Sequence, residues 1–233
     1  MNSRVILVSD DRSSLRSPDT LLWPDAACMR GIHTGEWTAH IFEYAMSFEG
    51  NMTQVRELAA ANGVGVLHPH GALATDPPSL IVCDVDSTVT RTEAIDLLAE
   101  CAGNADEVRE ITARAMVGEL DFTQSLYARV RCLEGLHIGA LEEAWKATVI
   151  TPGTAELVAA AHDVGAAVGL VSGGFTAIVD PLAEQIRADF AASNELEIVD
   201  NHLTGRVVGD IIDRAAKATW LRRWASERGV ALE

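Results

Sequence analysis

Basic residues are scarce in this chain of 233 residues: 18 Lys and Arg stand against 34 Asp and Glu, for a formal net charge of −16. Such an imbalance opposes binding to nucleic acid or to an anionic membrane surface unless a local basic patch overrides it, and no run of Lys or Arg supplies one. Cysteine is sparse too. Cys28, Cys83, Cys101 and Cys132 show no metal-ligand spacing and two of them fall in predicted apolar helix or strand, so reduced, buried thiols are expected and disulfides are not. No apolar stretch approaches the roughly 18 residues of a membrane span. Met1 to Asp10 carries an acid early and lacks a long apolar core, unlike a signal peptide, so the expectation is a cytoplasmic protein. Repeats and low-complexity segments are missing as well. What is present is a globular composition: 48% hydrophobic residues suffice for a packed core, and the length suits one large domain or two small ones.

Arg4 to Ser9 reads as a strand, and Thr38–Met46, Met52–Ala61 and Val64–Leu67 read as strand, helix, strand, with Asn62-Gly63 as the turn. Residues 1–78 are thereby expected to form a small α+β unit. Gly71 to Ser79, with Asp76-Pro77-Pro78, is a stiff connector and the domain boundary. Beyond it, Leu80 to Cys83 has the short, continuous apolar character of a fully buried parallel strand. Thr92 to Ile150 is helical throughout. Gly103-Asn104 closes one helix and caps the next, with Glu107 in the capping-box position. Gly118 ends that helix. Asp121 to Gln124 offers a second capping box, followed by Phe122, Leu126, Val130 and Leu133 at helical spacing. A fourth short helix carries Leu141 and Trp145. Thr151-Pro152 then reads as a helix start, Ala166–Val171 as a second buried strand, and Asp180-Pro181 as another helix start. Glu195–Val199 and Leu203–Val208 form a predicted hairpin. Asp213 to Arg228 is a helix with Trp220, Leu221 and Trp224 inward and Lys217 near its first turns.

The chemistry-bearing residues gather at the two strand ends. Asp84-Val85-Asp86-Ser87-Thr88 follows the first, placing two carboxylates one residue apart where open α/β sheets bind ligands. Ser172-Gly173-Gly174 ends the second. These parts suit phosphoryl transfer. Asp84 is the candidate nucleophile, giving an aspartyl-phosphate. Mg²⁺ would bridge Asp84 and a phosphate oxygen, because it favours oxygen ligands and borrows one or two carboxylates plus the substrate. Asp86 would protonate the leaving alcohol and later deprotonate water. Ser172 and the Gly173 N–H would hold phosphoryl oxygens, and Lys217 would supply positive charge. Taken singly, each has a plainer reading. Asp-x-Asp pairs cap helices, Ser-Gly-Gly makes turns, Lys217, Glu93 and Arg129 are solvated helix charges, and Met116 and Phe122 are interior to the helical segment.

In this order and spacing, the motifs resemble the phosphoserine phosphatase family, within the haloacid-dehalogenase-like phosphatases. The resemblance runs from Leu80 to the C-terminus. Asp84 to Thr88 matches the nucleophile motif, Ser172-Gly173-Gly174 the second motif, and Lys217, within Asp213-Arg214-Ala215-Ala216-Lys217, the third. It implies O-phospho-L-serine as substrate and Mg²⁺ as cofactor, with Asp84 and Asp86 as metal ligands. It also implies that Glu93 meets the substrate amino group, that Arg129 binds its carboxylate, that Met116 and Phe122 shield the site, and that Ser172, Gly173 and Gly174 hold the phosphoryl group. The fold it implies is α/β: a Rossmann-like parallel sheet core (79–95 and 151–233) with an inserted four-helix cap (96–150), preceded by the small α+β N-terminal domain. Residues 1–78 resemble a degenerate regulatory-type domain with no assigned effector.

One departure stands out. The family's fourth motif, Gly-Asp-Gly-x-x-Asp, follows the lysine helix and completes Mg²⁺ binding, but no Gly-Asp-Gly occurs here and the sequence reaches Glu233 before it. Gly209-Asp210 precedes Lys217 and cannot substitute by position. The expectation is an open, apolar edge on the Leu80–Asp84 strand, and with it poor solubility, self-association through that edge, or a longer product. Two other readings stay open: a phosphatase for another small phosphate ester, and a non-catalytic phosphoserine-binding or assembly module.

Overall fold

The computed structural model describes residues 4–9, 27–34, 37–43, 52–69 and 71–232. The chain divides into two compact units, 1–77 and 78–233. In the first, strands β1 (Arg4–Ser9), β2 (Ala27–Thr34), β3 (Trp37–Glu43) and β4 (Gly65–Leu67) form an antiparallel sheet in the order β2-β3-β1-β4, accompanied by helix α1 (Met52–Ala61). Val5, Leu7 and Ser9 are buried while Ile6 and Val8 are less so, the two-residue period of a strand with one covered face. Val5 and Leu7 pack with Ala59 and Val64. β2 has no apolar alternation to announce it and is defined by its pairing with β3. Residues 44–46 of the expected Thr38–Met46 strand lie outside the described residues. The connector winds into one 3₁₀ turn at Gly71–Ala74.

The second unit is an α/β fold with a mixed, mostly parallel sheet. Strands β5 (Leu80–Cys83), β6 (Ala167–Phe175) and β7 (Phe190–Val199) are parallel, and β8 (His202–Val208) returns antiparallel beside β7, in the order β5-β6-β7-β8. Helices α2 (Ala94–Ala102), α3 (Ala105–Met116), α4 (Phe122–Arg131), α5 (Gly139–Ala147) and α6 (Thr154–Asp163) lie between β5 and β6 in sequence; α7 (Thr176–Ile186) joins β6 to β7, and α8 (Arg214–Glu227) follows the hairpin.

Two strand expectations need correction. β5 is only half-buried at all four positions, because it is an outer strand paired on one side with β6. β6 is the covered one, buried at every position except Gly173. The predicted hairpin began at Glu195, yet the strand starts at Phe190. Its first half, Phe190 to Asn194, pairs parallel with β6 before Glu195 onward pairs with β8.

Helix ends follow the punctuation in part. Gly103, at φ 74°, closes α2 in the left-handed conformation that glycine accommodates without strain. Asn104 does not cap α3 with its side chain; it donates from Nδ2 to the Cys132 carbonyl at 2.7 Å, tying the start of α3 to the end of α4. Asp121 and Gln124 form the reciprocal capping box. Thr151-Pro152 is not a helix start: α6 begins at Thr154, and Thr151 Oγ1 instead donates to the Thr88 carbonyl at 2.8 Å. Pro181 lies inside α7, where buried Ile178, Val179, Leu182, Ala183 and Ile186 anchor the helix despite the missing N–H. The interior falls into three groups. Leu98, Val108, Leu126, Val130 and Leu133 join the helices to Phe175 and Ile178. Val85 and Val89 pack with Val168, Leu170 and Leu182. Val171, Ala192, Ile212 and Trp224 seat α8. No described helix is long and apolar enough to cross a membrane.

Candidate active site

β5 delivers Asp84 at its carboxyl end, and the chain then makes one wide turn over Val85–Val89 before α2. Fully buried Val85 pegs that turn into the core; burying a valine contributes about 1.5–3 kcal/mol. The peg leaves Ser87 and Thr88 exposed and Asp86 partly buried against Ser172. Asp86 is extended within the turn and Ser87 sits at φ 56°, a left-handed conformation costing a non-glycine residue about 1–2 kcal/mol. The bend carries the Ser87 hydroxyl to Glu93, where it donates to Oε1 at 2.5 Å.

Each carboxylate is held differently. Asp84 Oδ1 accepts the Val85 N–H at 2.9 Å and pairs with Lys217 Nζ at 2.6 Å. Asp86 Oδ1 accepts the N–H of Ala94, the first residue of α2, at 2.9 Å, and Oδ2 accepts the Ser172 hydroxyl at 3.1 Å. Burial pushes the Asp86 carboxyl above its ordinary value; the Ala94 N–H and Ser172 pull it down, while the charges of Glu93 and Asp84 add to the rise.

The Ser-Gly-Gly segment forms the opposite wall. Ser172 is fully buried, and its Oγ accepts the Gly174 N–H at 2.8 Å. That N–H is therefore committed inside the protein. Both glycines are required by close approach: a Cβ on Gly174 would lie 2.6 Å from Asp86 Oδ2, and one on Gly173 would lie 2.8 Å from Cζ of Phe122. α8 starts at Asp213, whose carboxylate accepts the Ala216 N–H at 2.7 Å, and this cap sets Lys217 on the first turn.

Asp84, Asp86, Glu93, Phe122, Arg129, Gly173, Gly174 and Lys217 line one cavity of about 230 Å³, with Ile95, Leu126 and Phe175 as its apolar wall. Burial lowers the Arg129 guanidinium's pKa, against the opposing pull of Asp96, Glu93 and Asp86, and its Nε donates to the Ser125 carbonyl at 3.3 Å. Ser172 lies beneath the cavity, bonded to Asp86. Met116 is not brought to the site; at the end of α3 it is 84% exposed.

Sequence reasoning missed Asn194. It is 1% exposed, donates from Nδ2 to the Gly173 carbonyl at 2.8 Å and accepts the Ile212 N–H on Oδ1 at 2.8 Å. One amide thus ties the Ser-Gly-Gly wall to the approach of the lysine helix. A buried asparagine in a strand was the available signal, but the strand itself had not been read there. The Ser87–Glu93 bond was also missed, since no spacing rule links those positions.

The donor set suits a hard, oxygen-seeking cation. Asp84 takes both of its bonds on Oδ1 and leaves Oδ2 available, with Asp86 two residues on. Among the described residues no group of three or more His, Cys, Asp or Glu is placed to hold a metal.

Comparison with known proteins gives the family. Residues 81–233 match the haloacid dehalogenase-like hydrolase family. The chain is 49% identical over 174 residues to a phosphoserine phosphatase of Streptomyces coelicolor, a match covering 75% of this chain and 42% of that protein. With a phosphoserine phosphatase of Streptococcus thermophilus it shares 47% identity over 153 residues, 66% of this chain and 71% of the other. The crystal structure of a probable phosphoserine phosphatase from Vibrio cholerae superposes with a TM-score of 0.78 at 33% identity, covering 98% of this chain and 70% of that one. The match thus spans less than half of the Streptomyces protein. The family match runs through the second unit from β5 onward, and the chain belongs to the haloacid dehalogenase-like hydrolases.

Proposed function

We propose that this chain hydrolyses O-phospho-L-serine to L-serine and inorganic phosphate through a phosphoaspartate on Asp84, as a step of L-serine biosynthesis. The observation that carries the reading is the charge pattern of one small cavity. Lys217 and Arg129 offer two cations and Glu93 an anion, which complements a ligand bearing a phosphate, a carboxylate and an ammonium. The names of the relatives point the same way.

In this reading the Asp84 carboxylate attacks phosphorus and the bond to the serine oxygen breaks. Asp86, whose burial favours the protonated form, gives its proton to the departing oxygen and then takes one from the water that cleaves the phosphoaspartate. The Gly173 N–H and Lys217 hold the phosphoryl oxygens, while the Ser172 hydroxyl keeps Asp86 aimed. Arg129 takes the substrate carboxylate. Glu93, oriented by Ser87, takes the ammonium. Asp84, with Asp86 beside it, would hold Mg²⁺, which would supply positive charge to offset the repulsion between a carboxylate nucleophile and a phosphate dianion. Residues 79–95 and 151–233 act as the core, and 96–150, which hold most of α2 and all of α3 to α5, as a cap bringing Phe122 and Arg129 over it.

The test is phosphate release from O-phospho-L-serine by the purified chain with Mg²⁺, beside EDTA and Asp84→Asn controls. Turnover that requires metal and disappears in Asp84→Asn is expected. Release no greater than the Asp84→Asn background refutes the proposal.

A further inference from the structure

Gly169, in the middle of β6, is not one of the glycines with positive φ, so its backbone does not demand glycine. Its surroundings do. A Cβ built there would lie 2.8 Å from both Cε3 and Cζ3 of Trp224 and 3.5 Å from Cβ of Phe190. The Trp224 indole, 3% exposed, fills that notch from α8. It stacks on Phe190 with ring centroids 5.4 Å apart and planes 11° from parallel, and Trp220 leans against it at 5.5 Å. Val171, Ala192 and Ile212 are the other buried members of this cluster.

Trp224, Trp220 and Lys217 recur at spacings of four and three, which places them on one face of α8. Lys217 lies about 10 Å along the axis from Trp224, at roughly 1.5 Å per residue. The helix therefore bears on the sheet at Trp224 and on the nucleophile at Lys217, whose Nζ is 2.6 Å from Asp84 Oδ1.

We propose that the Gly169 notch, by seating Trp224, sets the height of α8 over the sheet and so positions Lys217 on Asp84. Gly169 and Trp224 are positioning residues for a site that neither of them lines, and the role of Lys217 there rests on the function proposed above. Ordinary carbon contacts fall at about 3.5–4.0 Å, so a methyl group at position 169 displaces the indole by roughly 1 Å. An ion pair lengthened by about that much leaves hydrogen-bonding range.

Lys146 and Lys217 are the chain's two lysines, which gives the test an internal standard. Lys146 is exposed on α5, paired with Glu142. The full chain, free of metal, is acylated with limiting acetic anhydride, and the Lys217:Lys146 labelling ratio is read by peptide mass spectrometry. Gly169→Ala should raise the ratio by about threefold or more, the range expected for directly coupled neighbours, and Trp224→Phe in the same chain should bring it back toward wild type. Val158→Ala, a truncation in a different part of the core, should leave it unchanged while lowering the melting temperature. An unchanged ratio in folded Gly169→Ala, no recovery in the double variant, or an equal rise in Val158→Ala overturns the proposal. Should Gly169→Ala fail to fold, Trp224→Leu removes the seat from the other side, and a wild-type ratio there is equally fatal. Because the ratio needs no turnover, absence of phosphoserine hydrolysis would sink the functional reading and leave this one standing or falling on its own.

Discussion

Gly174→Ala adds one methyl group where the two walls of the site meet. Its Cβ would lie 2.6 Å from Asp86 Oδ2 and 3.0 Å from Ser172 Oγ, whereas carbon and oxygen in ordinary contact stay beyond 3.4 Å, so the carboxylate must retreat by most of an ångström. Retreat is obstructed. Asp86 is held on its other oxygen by the Ala94 N–H at 2.9 Å, and Ser172 is held by the strand it belongs to. Gly174 is not a positive-φ residue, so alanine brings no backbone strain and the effect is purely one of space. Overpacking of this kind costs about 1–3 kcal/mol. At roughly 2–4 °C per kcal/mol for a chain of this size, the melting temperature should fall by about 2–12 °C. A proton-transfer group displaced by close to 1 Å loses up to about 10²-fold in rate. Steady-state phosphate release from O-phospho-L-serine should therefore show kcat down by about two orders of magnitude with KM within about threefold of wild type. A Gly174→Ala enzyme whose kcat stays within about threefold of wild type refutes both the geometry and the role given to Asp86.

Arg129→Ala should lower kcat/KM for phosphoserine by about 10- to 100-fold, the worth of a charge-assisted hydrogen bond, and spare a phosphate ester lacking a carboxylate; equal losses on both substrates would exclude carboxylate recognition. Asn194→Leu strands the Gly173 carbonyl and the Ile212 N–H in the interior at about 1–3 kcal/mol each, so its urea midpoint should drop with an unchanged slope, and a loss below about 1 kcal/mol would show that the amide bridge is dispensable. Burial pushes the Asp189 carboxyl up, but the Val168 N–H, His162 and Arg228 outweigh it and hold the group below its usual value. The unfolded chain then takes up that proton first as pH falls, so the stabilisation is complete above the unfolded value and is lost on passing down through the folded one. The melting-temperature gap between wild type and Asp189→Asn should narrow from about pH 6 to about pH 3, and a gap independent of pH would refute the assignment. β5 pairs with β6 on one side only among the described strands, so a second copy adding edge to edge should raise the mass seen by light scattering with concentration; a constant monomer mass across micromolar concentrations excludes it.

Most of the residues that line the cavity were legible in the sequence, and the reason is chemical. Phosphoryl transfer needs carboxylates, a hydroxyl and a cation beside low-dielectric core, and the sharpest boundaries between apolar and polar sequence fall where β5 ends at Asp84 and where β6 reaches Ser172. Lys217 was legible because Asp213 caps its helix four residues earlier. Periodicity likewise marked most helices, from the Asp121 capping box onward. It failed for the start of β7, where Phe190-Ala191-Ala192-Ser193-Asn194 mixes small and polar residues and is strand only because β6 lies alongside. It failed at Pro181, where buried side chains on both sides outweigh one lost hydrogen bond. Met116, placed over the site by the resemblance and in the helical interior by its apolar side chain, is 84% exposed, because an apolar residue type does not say whether the helix face it occupies is covered.

The supports of the site share a different property. Asn194, Ser87, Gly174 and Gly169 are neutral residues whose contributions are defined by distant partners, from Glu93 six positions after Ser87 to Asp86, which lies 88 positions before Gly174. An asparagine that bridges two backbone groups looks like any asparagine until both groups are in place. A glycine kept free for an indole looks like a flexible one until the indole arrives. Reactive groups must differ chemically from their surroundings and so betray themselves locally, whereas the groups that aim them need only fit, and fit is a property of the folded neighbourhood. This predicts where substitutions will surprise: changes at Gly169 and Asn194, which would pass as conservative on sequence alone, should perturb the site more than changes at the exposed ion pairs such as Lys146–Glu142, whose charges are screened by solvent.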